Sequence, residues 1–194
     1  MKVIPFYDLV RRYYSGEEFV LFDTETTGLN TYHDEIIEVA GAIWKKDGMI
    51  EKFQELIRVN PNKMMGEAAA IHKITVEDLQ DARPADEVLA DFVDFCGNRV
   101  MFAHNIKFDF PMLNSNLVRS GLKPYQNDDV ACSLVYAKEQ QMPGKLSELA
   151  RHLKIETCGS DLHRAMYDVE VLMNVMNRIM KDNEPEEMQY SLIL

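Results

Sequence analysis

Two carboxylates separated by one residue directly follow a strongly apolar run, and this stretch most constrains how the chain folds. The run is Phe19-Val20-Leu21-Phe22, and Asp23 and Glu25 come immediately after it. In a β-strand, side chains two residues apart point to the same face, so we expect these two charges side by side. A bound cation would remove their repulsion, and Mg²⁺ and Mn²⁺ prefer oxygen ligands of this kind. The alternative is a solvated turn after the strand.

The composition is typical of one soluble globular domain. The chain has 194 residues, of which 46% are hydrophobic and 27% are charged, and this length allows a sizeable core. No apolar run approaches the roughly 18 residues that span a bilayer, and the N-terminus lacks an apolar signal-peptide region. Cys96, Cys132 and Cys158 are widely spaced, which argues against a disulfide framework or a zinc site. We therefore expect free thiols, a reducing cytoplasmic location and no membrane partner.

The net charge restricts how the chain can bind nucleic acids. A net charge of −11 counts against a broad nucleic-acid-binding surface, because phosphate contacts need lysine and arginine. Carboxylates that hold metal ions invert the local electrostatics once the cations are bound. An acidic enzyme can therefore act on a polyanion at a small metal-loaded site while it binds weakly elsewhere.

The first half of the chain predicts a short helix followed by three strands. Pro5 opens an amphipathic helical pattern over residues 5–14,. Apolar runs over residues 36–44 and 50–59 flank the turn Lys46-Asp47-Gly48, a pattern typical of an antiparallel hairpin. With the strand that leads to Asp23, this makes three strands before any long helix.

The second half predicts alternating helices and strands. A helix start is predicted at residues 75–78 from an acidic capping pattern. Pro111 indicates the first turn of a helix, because proline is tolerated there, and this places Asp109 at or near the N-terminus of that helix. The other expected elements are helices over 86–96, 147–153 and 161–180, a strand over 100–103 and a strand or strand-to-helix passage over 129–137. The pattern indicates an α/β mixed sheet, three antiparallel strands and then alternating strands and helices, flanked by helices.

Two more carboxylates occupy places of a similar kind. Asp109 follows the predicted strand over 100–103, and Asp168 lies on the last predicted helix, five residues after His163. Each is also explained as a helix-terminal or surface acid. Five helical steps separate two side chains by about 140°, so we expect His163 in a loop or first turn and Asp168 a turn further in. An imidazole beside carboxylates is a reasonable general base, since its pKa lies near neutrality.

Three segments together resemble one family. They are Asp23-Thr-Glu25-Thr-Thr-Gly28-Leu29, His104-Asn105-x-x-Phe108-Asp109 and His163-Arg-Ala165-x-x-Asp168. Their order is similar to the motif set of DEDDh 3′–5′ exonucleases, a family that includes the proofreading epsilon subunit of bacterial DNA polymerase III. The resemblance covers about residues 18 to 180. It divides the chain into an N-terminal helical extension (1–17), an exonuclease domain (18–183) and a C-terminal tail (184–194).

The resemblance implies a ribonuclease-H-like fold and a reaction that uses two divalent ions, Mg²⁺ or Mn²⁺. Two such ions, ~3.5–4 Å apart, stabilise the attacking and leaving oxygens of a phosphodiester. By this resemblance Asp23 bridges the ions, and Glu25 and Asp168 complete the first. Asp109 holds the second ion, partly through water, and His163 takes the proton from the attacking water. Four carboxylates and two divalent ions are together nearly neutral.

The resemblance also implies contacts with the 3′-terminal nucleotide. The candidate residues are Thr26, Gly28, Leu29, Glu67, His72, His104, Asn105 and Phe108. The alternatives are a surface histidine at His72, a satisfied buried histidine at His104 and simple packing at Phe108. The chain departs from the family at Lys73, where glycine is usual, and at Cys132-Ser133, where Asp-Thr or Asp-Ser is common.

The expected activity is release of nucleoside 5′-monophosphates from DNA 3′ ends, a reaction suited to proofreading. The motif Thr-Glu-Thr-Thr-Gly is similar to that of the proofreading branch of the family, whereas oligoribonucleases usually carry Glu-Met-Thr. This resemblance favours DNA as the substrate. The alternatives are RNA trimming by the same site and a non-catalytic adaptor for a polymerase or sliding clamp. Gln189-x-x-Leu192-x-Leu194 resembles a short peptide that docks on the sliding clamp, and its alternative is a C-terminal arm that packs on its own fold.

Overall fold

A six-stranded mixed sheet forms the centre of the part of the chain that the structure describes. This structure, a computed structural model, describes residues 1–46, 48–64, 67–157 and 164–186, without the side chains of residues 49, 50 and 67–69. The strands are β1 (Lys2–Val3), β2 (Phe19–Thr26), β3 (Ile36–Lys45), β4 (Gly48–Leu56), β5 (Val100–Ala103) and β6 (Asp129–Cys132). Their order across the sheet is β1-β6-β5-β2-β3-β4.

Helices cover the sheet and confirm most of the predicted order. They are α1 (Phe6–Tyr14), α2 (Glu67–His72), α3 (Ala85–Cys96), α4 (Ile106–Arg119), α5 (Ser133–Glu139), α6 (Leu146–His152) and α7 (Ala165–Asp182), with a 3-10 helix at Pro61–Lys63. β2, β3 and β4 pair antiparallel, while β5 pairs parallel with β2 and β6. The predicted mixed sheet, with three antiparallel strands followed by alternating strands and helices, is therefore confirmed. Asp47 of the predicted turn lies outside the described residues.

The two faces of β2 pack against different helices. Phe19 and Leu21 belong to the core cluster that contains α1, α6 and α7 residues. Val20 and Phe22 belong to the cluster beneath α3 and α4. Because side chains alternate along a strand, β2 is buried on both faces and reads as a continuous apolar run. Its carboxyl end is therefore the first place where polar side chains can emerge from the core.

Three local predictions were wrong. Residues 76–81 form turns rather than a helix, although Thr75 and Asp78 exchange the capping hydrogen bonds. The segment is too short, because Pro84 already starts the next helix. Pro111 lies in the second turn of α4 rather than in the first, because that helix begins at Ile106; Asp109 lies in the first turn, as predicted. The last helix begins at Ala165 rather than near residue 161.

The N-terminal residues belong to the same core as the exonuclease motifs. β1 pairs with β6 at the edge of the sheet, and Leu9, Val10 and Tyr13 of α1 are buried. Tyr13 stacks on Trp44 of β3, with ring centroids 4.4 Å apart. Residues before and after residue 17 therefore share one core cluster, and the division at residue 17 stays a prediction.

The described part of the chain contains two of the three cysteines and the helices that bear on the membrane prediction. Cys96 and Cys132 are free and buried, while Cys158 lies outside the described residues. Among the helices that the structure describes, none has the length and apolar character needed to cross a bilayer.

Candidate active site

Asp23, Glu25 and Asp168 meet at the carboxyl end of β2. The alternation of β2 puts Asp23 and Glu25 on the face that α7 covers, and Asp168 lies in the first turn of α7. The three carboxylates each offer an oxygen within 4.8 Å of the others. The two motifs that lie furthest apart in the chain therefore share one point in space, as the sequence predicted.

Asp109 reaches the same cleft from the opposite face of the sheet. It lies in the first turn of α4 and is buried. Its carboxylate accepts a hydrogen bond of 2.9 Å from the hydroxyl of Thr24, the residue between Asp23 and Glu25. Thr24 thus ties the second motif to the first, while Asp109 stays outside the close group of three.

A cleft of about 460 Å³ opens beside the four carboxylates. Its lining comes from β2, α4, α5, α6, α7 and the segments that connect the elements: Asp23, Thr24, Glu25, His104, Asn105, Phe108, Asp109, Leu134, Gly144, Lys145, Leu146, Ser147 and Asp168. A larger cavity of about 660 Å³ lies elsewhere, around Arg58 and Arg119, and contains none of the four carboxylates. The smaller cleft is therefore the candidate active site.

Burial and neighbouring charges disfavour the charged form of three carboxylates in the cleft. Burial raises the pKa of Glu25 to about 8, with a further contribution from Asp168. Burial also raises the pKa of Asp109 to about 7, and the pKa of Asp23 lies well above its ordinary value because of burial and the charge of Asp109. For Asp109 the effect of burial outweighs the hydrogen bond from Thr24. Shifts of this kind cluster at functional sites.

The residues after Glu25 form a tight loop at the edge of the cleft. Thr26 is buried, and its hydroxyl donates to the carbonyl of Gly28 at 2.7 Å. A Cβ atom at Gly28 would come within 2.5 Å of the Asp34 carboxylate, so any side chain at this position would force the Asp34 carboxylate to move. Leu29 is 83% exposed. The loop therefore presents an apolar side chain to solvent on a backbone that only glycine fits without rearrangement.

His104 is held on both ring nitrogens by other protein groups. Nδ1 lies 2.8 Å from the hydroxyl of Ser133, and Nε2 lies 2.9 Å from the carbonyl of Gly144. Burial lowers the pKa of its imidazole. This geometry favours the satisfied histidine over one whose ring nitrogens contact a substrate. Asn105 caps α4 by position, and Phe108 is half-buried; both line the cleft.

The two departures from the family pattern have structural counterparts. Ser133, in the Cys132-Ser133 pair, is the partner of His104, so this pair supports the cleft wall. Lys73 has φ +59°, a left-handed conformation that glycine adopts freely. The backbone thus keeps the shape that the usual glycine would allow.

His72 is buried rather than on the surface, and its Nδ1 accepts a hydrogen bond of 3.0 Å from the amide of Ile74. Burial lowers the pKa of this imidazole too. Glu67 is the first residue of α2, and its side chain lies outside the described part of the structure. His163 and the segment Gln189–Leu194 also lie outside the described residues, so their predicted roles stay predictions.

Sequence reasoning missed Glu38 and Arg164. Glu38 is fully buried in β3, where it pairs in register with Glu25 of β2. The guanidinium of Arg164 donates to both of its carboxylate oxygens, at 2.8 and 3.1 Å. A lone glutamate inside the apolar run Ile36-Ile37-Glu38-Val39-Ala40 was the available signal, because charged residues are almost never buried unpaired.

The cleft lies within a segment of the chain that matches a known protein family. The model of the RNase_T exonuclease family matches residues 20–176, a span that contains all four carboxylates and His163. The chain belongs to this exonuclease family. Its motif residues make it an exonuclease of the DEDDh type, as the sequence predicted.

Relatives of this exonuclease include much longer proteins. The PolC-type DNA polymerase III of Staphylococcus haemolyticus is 36% identical over 157 residues, which are 78% of this chain and 10% of that protein. The PolC-type polymerase of Bacillus cereus is 30% identical over 180 residues, which are 91% of this chain and 12% of that protein. The chain therefore spans about a tenth of the length of these curated relatives.

A solved structure shares the fold at low sequence identity. The nuclease domain of 3′hExo, a DEDDh family member bound to rAMP, superposes with a TM-score of 0.73 at 17% identity and covers 86% of this chain and 93% of that one. The agreement places the described sheet and helices in the fold of the DEDDh exonucleases, which confirms the predicted ribonuclease-H-like architecture.

Proposed function

We propose that this chain is a metal-dependent 3′–5′ exonuclease that releases nucleoside 5′-monophosphates from DNA 3′ ends by a two-metal mechanism. The observation that carries the proposal is the group Asp23, Glu25 and Asp168, whose oxygens lie within 4.8 Å of one another. Asp109 lines the same cleft. Four acidic side chains that converge on one cleft form a site suited to bound cations,.

The donor atoms fit Mg²⁺ or Mn²⁺. All four are carboxylate oxygens, the ligand type that hard divalent cations select. The pKa values of Glu25 and Asp109 are raised because burial disfavours their charged form, and bound cations would favour that form. We assign Asp23, Glu25 and Asp168 to one ion and Asp23 with Asp109 to a second. When bound, two divalent ions stabilise the attacking and leaving oxygens of a phosphodiester.

The protein groups around the cleft supply orientation and proton transfer. His163, which precedes Arg164 in sequence, is assigned as the general base that removes a proton from the attacking water. The exposed side chain of Leu29 would pack against the terminal base, and Thr26 and Gly28 would border the nucleotide. His72, Glu67, Asn105 and Phe108 are assigned to the same subsite.

His104 is given a different role within this proposal. Both of its ring nitrogens already contact protein groups, so we assign it to the cleft wall, where it holds the turn at Gly144 against β5. The nucleotide would then meet the edge of this wall rather than a free imidazole.

DNA is proposed as the substrate because the 36% identical relative is a DNA polymerase and because the loop reads Thr-Glu-Thr-Thr-Gly. E. coli exonuclease I, of similar fold with a TM-score of 0.71 and 19% identity, has been solved with a dT13 oligonucleotide and covers 90% of this chain and 43% of that one. RNA trimming is the second candidate, favoured by the rAMP bound to 3′hExo.

The deciding experiment compares 5′-labelled DNA and RNA oligonucleotides of one sequence under Mg²⁺ and Mn²⁺. We expect stepwise shortening from the 3′ end, faster on DNA, and no shortening by D23A or D168A. Faster RNA shortening would instead select RNA trimming. Absence of nucleotide release by the wild-type protein under both metals would support the non-catalytic adaptor and overturn the proposed function.

His163 and the tail are tested separately. H163A should lower the rate while Mn²⁺ binding, measured by calorimetry, stays intact; lost Mn²⁺ binding would contradict the general-base role. We also propose that Gln189–Leu194 docks on a sliding clamp, and that the protein acts beside a DNA polymerase. Deletion of residues 189–194 should abolish clamp binding, and unchanged binding would refute the docking role.

A further inference from the structure

Glu38 is a carboxylate enclosed by the protein beside the active site. It is fully buried, and it lies across from Glu25 in the β2–β3 register. Burying a charge is costly unless it is paired and hydrogen-bonded. Its surroundings meet that requirement, because the carboxylate accepts four hydrogen bonds from three residues, which lie on β4 and at the start of α7.

The four donors leave Glu38 no strong acceptor site for a metal ion. Gln54 of β4 donates to Oε1 at 2.8 Å, and the Arg164 guanidinium donates to both oxygens. The backbone amide of Ala165 donates to Oε2 at 3.1 Å. The Arg164 contact is two-pronged, a geometry that fixes orientation as well as charge. Glu38 is therefore bound within the protein and is not a further member of the carboxylate group.

The same contacts fix the start of α7. Arg164 is the N-cap residue of α7, and its side chain makes no capping hydrogen bond. Glu38 supplies the missing cap from the neighbouring strand, since it accepts from the amide of Ala165, the first helical residue. A negative charge at a helix N-terminus is favourable. The position and direction of the first turn of α7 are thus tied to β3.

Asp168 depends on this first turn. Its backbone amide donates to the carbonyl of Arg164 at 3.1 Å, which is the hydrogen bond that opens the helix. The side chain of Arg164 is held by Glu38, and its main chain holds Asp168. A continuous path therefore runs from the centre of β3 to a carboxylate of the active site.

We propose that Glu38 and Arg164 are positioning residues that hold Asp168 in place for metal binding. This inference rests on the proposed function, because it assigns Asp168 as a metal ligand. The pair acts through the start of α7 and touches neither metal nor substrate. Residues that orient metal ligands typically change metal affinity or activity by about 10- to 100-fold when they are replaced.

The test compares R164M with K52M, a matched control. Lys52 of β4 pairs with Glu170 of α7 at 2.5 Å, so K52M also removes an ion pair between the sheet and this helix. Mn²⁺ affinity is measured by calorimetry without nucleic acid, and kcat and KM are measured on the labelled oligonucleotide. We expect R164M to weaken Mn²⁺ binding about 10-fold or more and to lower kcat with little change in KM. K52M should match the wild-type protein in all three.

Two further variants guard against misfolding. R164M leaves Glu38 buried without its cation, so E38Q/R164M, which removes both charges, is measured beside it. R164K keeps the charge with a single-pronged contact and should restore part of the Mn²⁺ affinity. If a general loss of stability were the cause, the Mn²⁺ affinity of each variant, including K52M and R164K, would decrease with its degree of unfolding. Such a loss would not produce a partial return of affinity in R164K.

The outcomes separate this inference from the proposed function. Wild-type Mn²⁺ affinity in a folded R164M or E38Q/R164M protein would overturn the positioning role and leave the exonuclease assignment intact. A wild-type protein that binds Mn²⁺ but releases no nucleotide would overturn the exonuclease, while the Mn²⁺ affinities would still decide the positioning role. A wild-type protein that does not bind Mn²⁺ would overturn both.

Discussion

Glu25 and Glu38 lie opposite each other on neighbouring strands, yet their environments differ completely. Glu25 shares its space with the carboxylates of Asp23 and Asp168, and burial among them raises its pKa to about 8. Glu38 is the more buried of the two, but hydrogen bonds from Arg164, Gln54 and Ala165 outweigh its burial and hold its pKa below the ordinary value. Two directly paired residues on neighbouring strands thus have opposite electrostatic environments.

The difference shows how the fold distributes charge around its active site. The structural carboxylate receives its counter-charge from within the chain, through Arg164. The carboxylates of the candidate active site are instead buried beside one another, which raises the pKa values of Asp23, Glu25 and Asp109. Raised values of this kind fit the general observation that functional sites carry perturbed pKa values.

The largest expected effect comes from removing the charge of Glu25. E25Q should lower nucleotide release by about 10³-fold or more, because a metal ligand is lost. The same change should raise the stability of the metal-free protein at pH 8, because Glu25 in the folded protein must either bury a repelled charge or take up a proton, and an amide does neither,. Thermal unfolding in EDTA and oligonucleotide shortening measure the two effects.

E51Q, which removes an exposed charge from β4 of the same sheet, is the control for E25Q. It should change neither activity nor stability appreciably. An E25Q protein that is active, or that is less stable than the wild type in EDTA, would remove the contrast between the two glutamates.

The pH dependence of stability should have opposite signs for the two groups. The pKa of Glu25 rises from 4.5 to about 8 on folding, so the folded metal-free protein holds a proton that the unfolded chain releases. Its stability should therefore fall as pH rises from about 5 to 8, by on the order of 3 kcal/mol. Glu38, whose pKa is lowered, stabilises above pH 4.5, and its contribution is lost as pH falls below that value.

Chemical denaturation in EDTA across this range measures the slope. Added Mn²⁺ should restore stability most at pH 8, where the ligands are ionised in the bound state. E25Q should flatten the slope in EDTA. A wild-type stability that rises steadily from pH 5 to 8 without metal would contradict the raised pKa values.

A smaller effect is expected for Glu38. E38Q removes the charge that Arg164 and the start of α7 require, and it should lower the free energy of unfolding by about 2 kcal/mol at pH 7. The figure is moderate because the Arg164 side chain is 46% exposed and can be hydrated. An E38Q protein as stable as the wild type would show that the ion pair only replaces an equivalent neutral contact.

The smallest effect should come from Gln54. Q54M removes one neutral donor to Glu38 at the solvent-exposed side of β4 and leaves the Arg164 pair intact. The free energy of unfolding should fall by about 1 kcal/mol or less, and Mn²⁺ affinity should not change. A loss of Mn²⁺ affinity in Q54M would show that the path to Asp168 is more sensitive than the ion pair alone suggests.

The sequence predicted the elements whose signals are local. The strand Val100–Ala103 has the bounds that its apolar run indicates. The helix α3 ends at Cys96, and its C-cap is Gly97, whose φ is +56°. The prediction around Thr75 was wrong because a capping pattern cannot show that Pro84 leaves too little chain for a helix. The prediction from Pro111 placed the start of α4 too late in the chain. Tertiary packing holds this proline in the second turn of the helix despite the lost hydrogen bond,.

The sequence by itself determined the family, the mixed sheet with its three antiparallel strands and the motifs that carry the four carboxylates, because these depend on alternation, spacing and motifs that can be read along the chain. Only the tertiary structure decided which carboxylate is paired with an arginine and which have raised pKa values. Asp23 and Glu25 needed a cation on sequence grounds, and Glu38 carries the same charge. The distinction depends on Arg164, 126 residues away from Glu38 in the chain, and contacts of that range arise only when α7 packs on the sheet.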